Sequence, residues 1–132
     1  YFAPTIIAGL SNEARLCQDE VFGPVLAVLP FDGEDDLIAA ANASAYGLAA
    51  GIWTRDFTKA WRTARALDAG TVWINTYKQF SIATPFGGMK ESGMGREKGR
   101  DGIRAYQQQK SIYLDVSGQP HPWSAATVTG TP

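Results

Sequence analysis

The stretch Asp19-Glu20-Val21-Phe22-Gly23-Pro24 places two carboxylates and a phenyl ring at the mouth of an apolar run. A carboxylate at a strand edge has two readings. It is a solvated loop acid, or it accepts hydrogen bonds from the hydroxyls of a ribose, as the acidic residue of dinucleotide folds does. Phe22 packs against a ligand ring or fills the core, and Gly23-Pro24 fixes the backbone that presents both.

A second group follows a candidate strand. Phe80 and Phe86 flank Ser81-Ile82-Ala83-Thr84-Pro85, and two such rings either wall an apolar substrate entry or anchor their own loop. Asn75 ends the strand, where its amide caps the next turn or orients backbone near a site. The glycine-rich segment Gly87–Gly102 carries no Walker phosphate loop. Gly93-Met94-Gly95-Arg96-Glu97-Lys98 also misses the dinucleotide fingerprint, because Lys98 stands where its last glycine belongs. A tight, shaped loop is the better expectation, since glycine permits close backbone approach.

Nothing here forms a nucleophilic or metal-binding set. Cys17 is flanked by Asp19 and Glu20, which disfavour a thiolate, so it reads as structural. His121, the single histidine, sits in a Pro-rich tail. With no second histidine and no cysteine cluster, a transition-metal site is not expected.

The bulk numbers agree with one folded unit. The 132 residues are 45% hydrophobic and 19% charged, which suffices for a core and is too little charge for a disordered chain. A net charge of -1 leaves no nucleic-acid footprint. Charge is uneven: residues 11–40 hold seven acids and one base, while residues 90–110 hold six bases and three acids. No apolar segment is long enough to span a membrane. The start, YFAPTIIAGL, lacks a basic leader region and an initiator Met, so the numbering is expected to begin inside a longer gene product. The single cysteine and absent targeting signal make a cytoplasmic location the expectation.

These residues must be positioned by local elements. Residues 5–8 read as a short strand ended by Gly9, 11–17 as a turn or one helical turn, and 25–31 as a buried strand. Asp35 and Asp36 suit the first turn of a helix with Leu37, Ile38 and Ala41 on one face. A strand at 48–54 precedes the clearest helix, 56–68. There Phe57, Ala60, Trp61, Ala64 and Leu67 form one stripe, Asp56 is the cap and Gly70 the terminator. Residues 71–75 are a strand, 76–102 a long irregular loop, 103–109 a short helix, 111–116 a last strand, and the rest a loose tail. Alternating strands and helices predict an α/β fold with mainly parallel strands.

Taken together, several motifs resemble the C-terminal part of the NAD(P)-dependent aldehyde dehydrogenase family. They are Asp19-Glu20-Val21-Phe22-Gly23-Pro24-Val25, the run Ala41–Ala50 (ANASAYGLAA), Gly70-Thr71-Val72-Trp73-Ile74-Asn75, the run Pro85–Glu97 (PFGGMKESGMGRE), and Tyr106-Gln107-Gln108-Gln109-Lys110-Ser111. They stand in the family's order at family-like spacing, from Tyr1 to about Val116. The resemblance implies that residues 1–110 are a partial catalytic domain, that 111–116 join an oligomerisation sheet of a homo-oligomer, and that 117–132 are a tail outside the pattern.

It implies that Glu20 binds the nicotinamide ribose hydroxyls and that Phe22 lies beside the nicotinamide end of NAD or NADP. It further implies that Phe80 and Phe86 line the aldehyde tunnel, with Asn75, Gly87 and Gly88 supporting the site. The family's nucleophilic cysteine, general base, oxyanion asparagine and cofactor domain match nothing here. The parent reaction is aldehyde oxidation to a carboxylic acid through a cysteine thioester, and the isolated chain is expected to be inert. Medium apolar or aromatic aldehydes suit the two rings. The alternatives are a non-catalytic structural or oligomerising module, or weak dinucleotide binding without catalysis.

Overall fold

The computed structural model describes residues 1–119. His121 and most of the expected tail therefore lie outside the described residues. The chain runs β1 (Thr5–Ala8), α1 (Arg15–Gln18), β2 (Val25–Val28), α2 (Gly33–Asn42) and β3 (Tyr46–Gly47). It continues through β4 (Ala49–Ile52), α3 (Phe57–Ala66), β5 (Thr71–Ile74), β6 (Met89–Lys90) and α4 (Gly99–Arg104).

The strands form three pairs. β1 and β2 are parallel, with Thr5 opposite Val25 and Ala8 opposite Val28. β4 and β5 are parallel, with Ala49 opposite Thr71 and Ile52 opposite Ile74. The short β3 and β6 are antiparallel, with Tyr46 opposite Lys90. The mixed α/β class with mainly parallel pairing is therefore present, and each parallel pair is bridged through a helix as such pairs require.

α3 begins where its cap chemistry dictates: the Asp56 carboxylate accepts from the Lys59 amide at 2.9 Å. Its buried residues are Ala60 and Thr63. The expected stripe is corrected here, since Phe57 and Trp61 are exposed and stack on one another, centroids 6.4 Å apart. A small face at i and i+3 fits close against β5 and α2, and no described residue covers the large rings. Trp73, in the middle of β5, is 8% exposed and is the largest core residue.

Gly70 does not terminate α3. The helix ends at Ala66, Leu67 turns extended, and the Leu67 amide donates to the Thr63 carbonyl at 3.1 Å. Asn42 finishes the job from α2. Its amide donates to the Ala66 carbonyl at 2.8 Å and accepts from the Asp68 amide at 2.9 Å. Gly70 instead lets the chain run against the Gly87 carbonyl, where any side chain would collide with backbone.

Two further expectations change. The last helix starts at Gly99 and ends at Arg104, earlier than 103–109. The Gly102 amide bonds the Lys98 carbonyl at 2.9 Å, so the helical turn is closed by a local bond despite glycine's poor helix propensity. Residues 111–116 form no strand: Ile112, Tyr113, Leu114 and Val116 are exposed and no ladder partner lies among the described residues. A strand exists only with a neighbour for its backbone groups, and this segment has none there.

Candidate functional site

Two separate groups of candidate residues emerge. The first is the turn between α1 and β2. Arg15 donates to the Asp19 carboxylate at 2.6 Å, one turn apart, so one acid of the pair is engaged locally. Glu20 is exposed and makes no side-chain hydrogen bond among the described residues. Phe22 has φ 49° and is 93% exposed. A left-handed phenylalanine is uncommon and costs about 1 kcal/mol or more, so the surroundings must enforce it. They do so through β2: the Pro24 carbonyl accepts from the Thr5 amide at 2.9 Å, tying the turn to β1. The result is an exposed carboxylate two residues before an open ring on the same turn. Cys17 lies half-buried on α1.

The second group surrounds the end of β5. Trp73 meets Phe80 edge-on at 5.4 Å, and Phe80 meets Phe86 edge-on at 5.1 Å with an interplanar angle of 86°. Trp73 and Tyr77 pack at 5.1 Å and Tyr77 and Trp53 at 6.3 Å, so five aromatics form one continuous chain. The Trp73 indole N–H donates to the Gln79 carbonyl at 2.8 Å, which satisfies its buried donor. Trp73, Phe80 and Phe86 line a cavity of about 380 Å³ together with Thr71, Gln79 and Thr84. The buried Thr71 hydroxyl has no protein partner among the described residues.

Asn75 closes β4 to β5 beyond the ladder. Its Oδ1 accepts from the Thr54 amide and its Nδ2 donates to the Thr54 carbonyl, both at 2.9 Å. Its φ of 54° is one that asparagine tolerates better than most residues.

The glycine segment is not one open loop. Phe86 and Glu97 form an antiparallel bridge with two backbone bonds of 2.8 Å. Arg96 turns inward, and its Nη1 donates to the carbonyls of Gly88 at 2.6 Å and Gly95 at 2.9 Å. A loop that aims carbonyls at an internal guanidinium is not an anion cradle. Gly88 packs against Ser92, whose hydroxyl accepts from the Gly47 amide at 3.0 Å. Lys90 donates to the carbonyls of Asn42 at 2.7 Å and Ser44 at 3.1 Å, locking β6 to the end of α2.

Phe80, Phe86, Gly87 and Gly88 are thus brought together with Trp73 and Gly70. Glu20 and Phe22 lie apart, and Phe22 packs on no other ring among the described residues. Sequence reasoning missed Arg96, Asn42 and Lys90 as organising residues. Their long-range partners are mainly main-chain groups, which carry no side-chain signal.

The model of the aldehyde dehydrogenase family matches residues 1–112. Betaine aldehyde dehydrogenase of Cereibacter sphaeroides is 46% identical over 123 residues, covering 93% of this chain and 26% of its own length. Betaine aldehyde dehydrogenase 2 of Rhizobium meliloti is 50% identical over 113 residues, or 86% and 24%. A Staphylococcus aureus betaine aldehyde dehydrogenase variant in complex with NAD+ superposes with a TM-score of 0.87 at 41% identity, covering 93% of this chain and 25% of that one. The P. syringae indole-3-acetaldehyde dehydrogenase in complex with NAD+ and IAA gives 0.82 at 46%, with 88% and 23% coverage. The chain spans about a quarter of the length of the curated relatives it matches.

Proposed function

This chain belongs to the aldehyde dehydrogenase family, and from that premise we propose that it is the C-terminal part of an NAD-dependent enzyme that oxidises aldehydes to carboxylic acids through a cysteine thioester. The observation that carries the reading is the turn before β2, where Glu20 is exposed with no side-chain partner among the described residues, two positions before an open Phe22 ring. An ionised carboxylate is acceptor-only, so it suits two neighbouring ribose hydroxyls, and an exposed ring suits the flat face of a nicotinamide. An accepting carboxylate and an open ring therefore fit NAD, which when bound supplies the hydride acceptor.

In this reading Glu20 and Phe22 hold the cofactor's nicotinamide end. Phe80 and Phe86 line the aldehyde's approach and exclude water from it. Asn75, Gly87 and Gly88 keep that aromatic wall in register with β5. No bond-making step is assigned to these residues. The 132-residue chain alone is accordingly inert, and a cytoplasmic enzyme is the expected setting.

The test is steady-state NADH formation by the complete gene product over a panel of aldehydes, with the 132-residue chain as control. Losing a charge-assisted hydrogen bond costs about 1.5–3 kcal/mol, so Glu20→Gln raises the KM for NAD by about ten-fold or more. An unchanged KM for NAD removes Glu20 from the site. Turnover by the 132-residue chain removes the claim of inertness.

A further inference from the structure

Lys98 stands where the dinucleotide fingerprint would place its last glycine, and its backbone shows the cost. Its φ is 62° and its ψ 175°, a region that is otherwise almost confined to glycine. Three contacts hold it there. The neighbouring Glu97 is bridged to Phe86, the Gly99 amide donates to the Ile82 carbonyl at 2.8 Å, and the Lys98 carbonyl accepts from Gly102 at 2.9 Å. This backbone delivers the side chain onto the aromatic wall. The ammonium Nζ lies 4.0 Å from the centroid of the Phe80 ring and 5.9 Å from that of Phe86. Lys98 is half-buried and forms no ion pair among the described residues, so no carboxylate neutralises it.

A ring face holds one cation. Faces of this kind are what recognise quaternary ammonium groups. We infer that Lys98 is a specificity-determining residue: it occupies the Phe80–Phe86 ring face with an internal cation, so the site turns away aldehydes bearing a quaternary ammonium and takes neutral or anionic ones. The inference rests on the dehydrogenase reading above. It departs from what the names of the betaine aldehyde dehydrogenases in the comparison would suggest. The Lys98 ammonium acts twice, by filling the ring face and by repelling a like charge in a partly desolvated setting.

The decisive pair of substrates is betaine aldehyde and its neutral isostere 3,3-dimethylbutanal, which share shape and differ by one charge. With the complete gene product, kcat/KM favours the neutral aldehyde. Lys98→Met, which keeps length, and Lys98→Gly, which also relieves the backbone, each shift the ratio toward the cationic aldehyde by about ten-fold. Lys98→Arg, which keeps the charge, leaves the ratio near that of the parent. A ratio unmoved in both uncharged variants, with turnover intact, overturns the role of Lys98 and leaves the dehydrogenase reading standing.

If the parent oxidises no aldehyde at all, the dehydrogenase reading falls, and tetramethylammonium then tests Lys98 by itself. Calorimetric titration at matched ionic strength shows binding to the Met and Gly variants and none to the parent. Equal binding, or none to any of them, overturns the proposal.

Discussion

Replacing Asn75 separates two physical effects that one residue combines. Its two hydrogen bonds to Thr54, each 2.9 Å, join the ends of β4 and β5. Each is worth about 0.5–1.5 kcal/mol net, and their exposed setting places them in the lower half, so together they contribute about 1–2 kcal/mol. The φ of 54° adds a second term. An ordinary L residue there costs about 1–2 kcal/mol, which asparagine largely avoids. Asn75→Ala loses both and is expected to destabilise this corner by about 2–4 kcal/mol. Asn75→Gly loses the bonds and keeps the backbone, for about 1–2 kcal/mol plus a little chain entropy. Asn75→Asp keeps the acceptor for the Thr54 amide and turns a second acceptor on the Thr54 carbonyl. Amide hydrogen exchange at Thr54 in the complete gene product reads the effect locally. Exchange accelerates most in the alanine variant, less in the glycine variant, and least in the aspartate variant, which retains the amide's acceptor. Unaltered Thr54 protection in the alanine variant would falsify the claim that this side chain closes the strand pair.

Acid sensitivity follows from the junction of α2 and α3. Hydrogen bonds from the Arg62 guanidinium first, and from the Thr63 hydroxyl, hold the Glu34 carboxyl down from its usual 4.5 to about 2. The folded value is the lower one, so this contribution is fully present above about pH 4.5 and is lost as pH falls through about 2. Thermal midpoints recorded across that window should fall less steeply for Glu34→Gln than for the parent, and identical slopes would refute the assignment. Separately, we propose that residues 111–116 find in a homo-oligomer the strand partner they lack here, since Ile112, Tyr113, Leu114 and Val116 are all exposed. Tyr113→Pro, which removes a ladder donor, should lower the mass seen by light scattering; an unchanged oligomer would sink the idea.

Most elements were legible because they rest on local signals. The Asp56 cap, the acidic first turn of α2 and the apolar runs of β2, β4 and β5 each require only neighbours in sequence. What failed needed distant partners. β3 and β6 are two residues each, too short for any periodicity, and exist because Tyr46 finds Lys90. The end of α3 is set by Asn42, 24 residues before the Ala66 carbonyl it bonds. The spacing of α3 shows an apolar stripe and not what covers it; of its five residues only Ala60 is buried, and the other buried position, Thr63, lies outside the stripe.

The site divides along the same line. The residue types of Phe80 and Phe86 suit either an entry wall or anchors of their own loop, and the rings both pack on one another and line one cavity. Lys98 was visible only as a missing glycine. Its meaning lies in a backbone angle and in a distance of 4.0 Å to a ring, neither of which a sequence states. A lysine held in glycine's conformation, with glycine the unstrained choice, is a position where stability and side-chain chemistry disagree. Lys98→Gly should therefore raise stability and relax charge selectivity together, whereas a purely structural lysine would alter only the first.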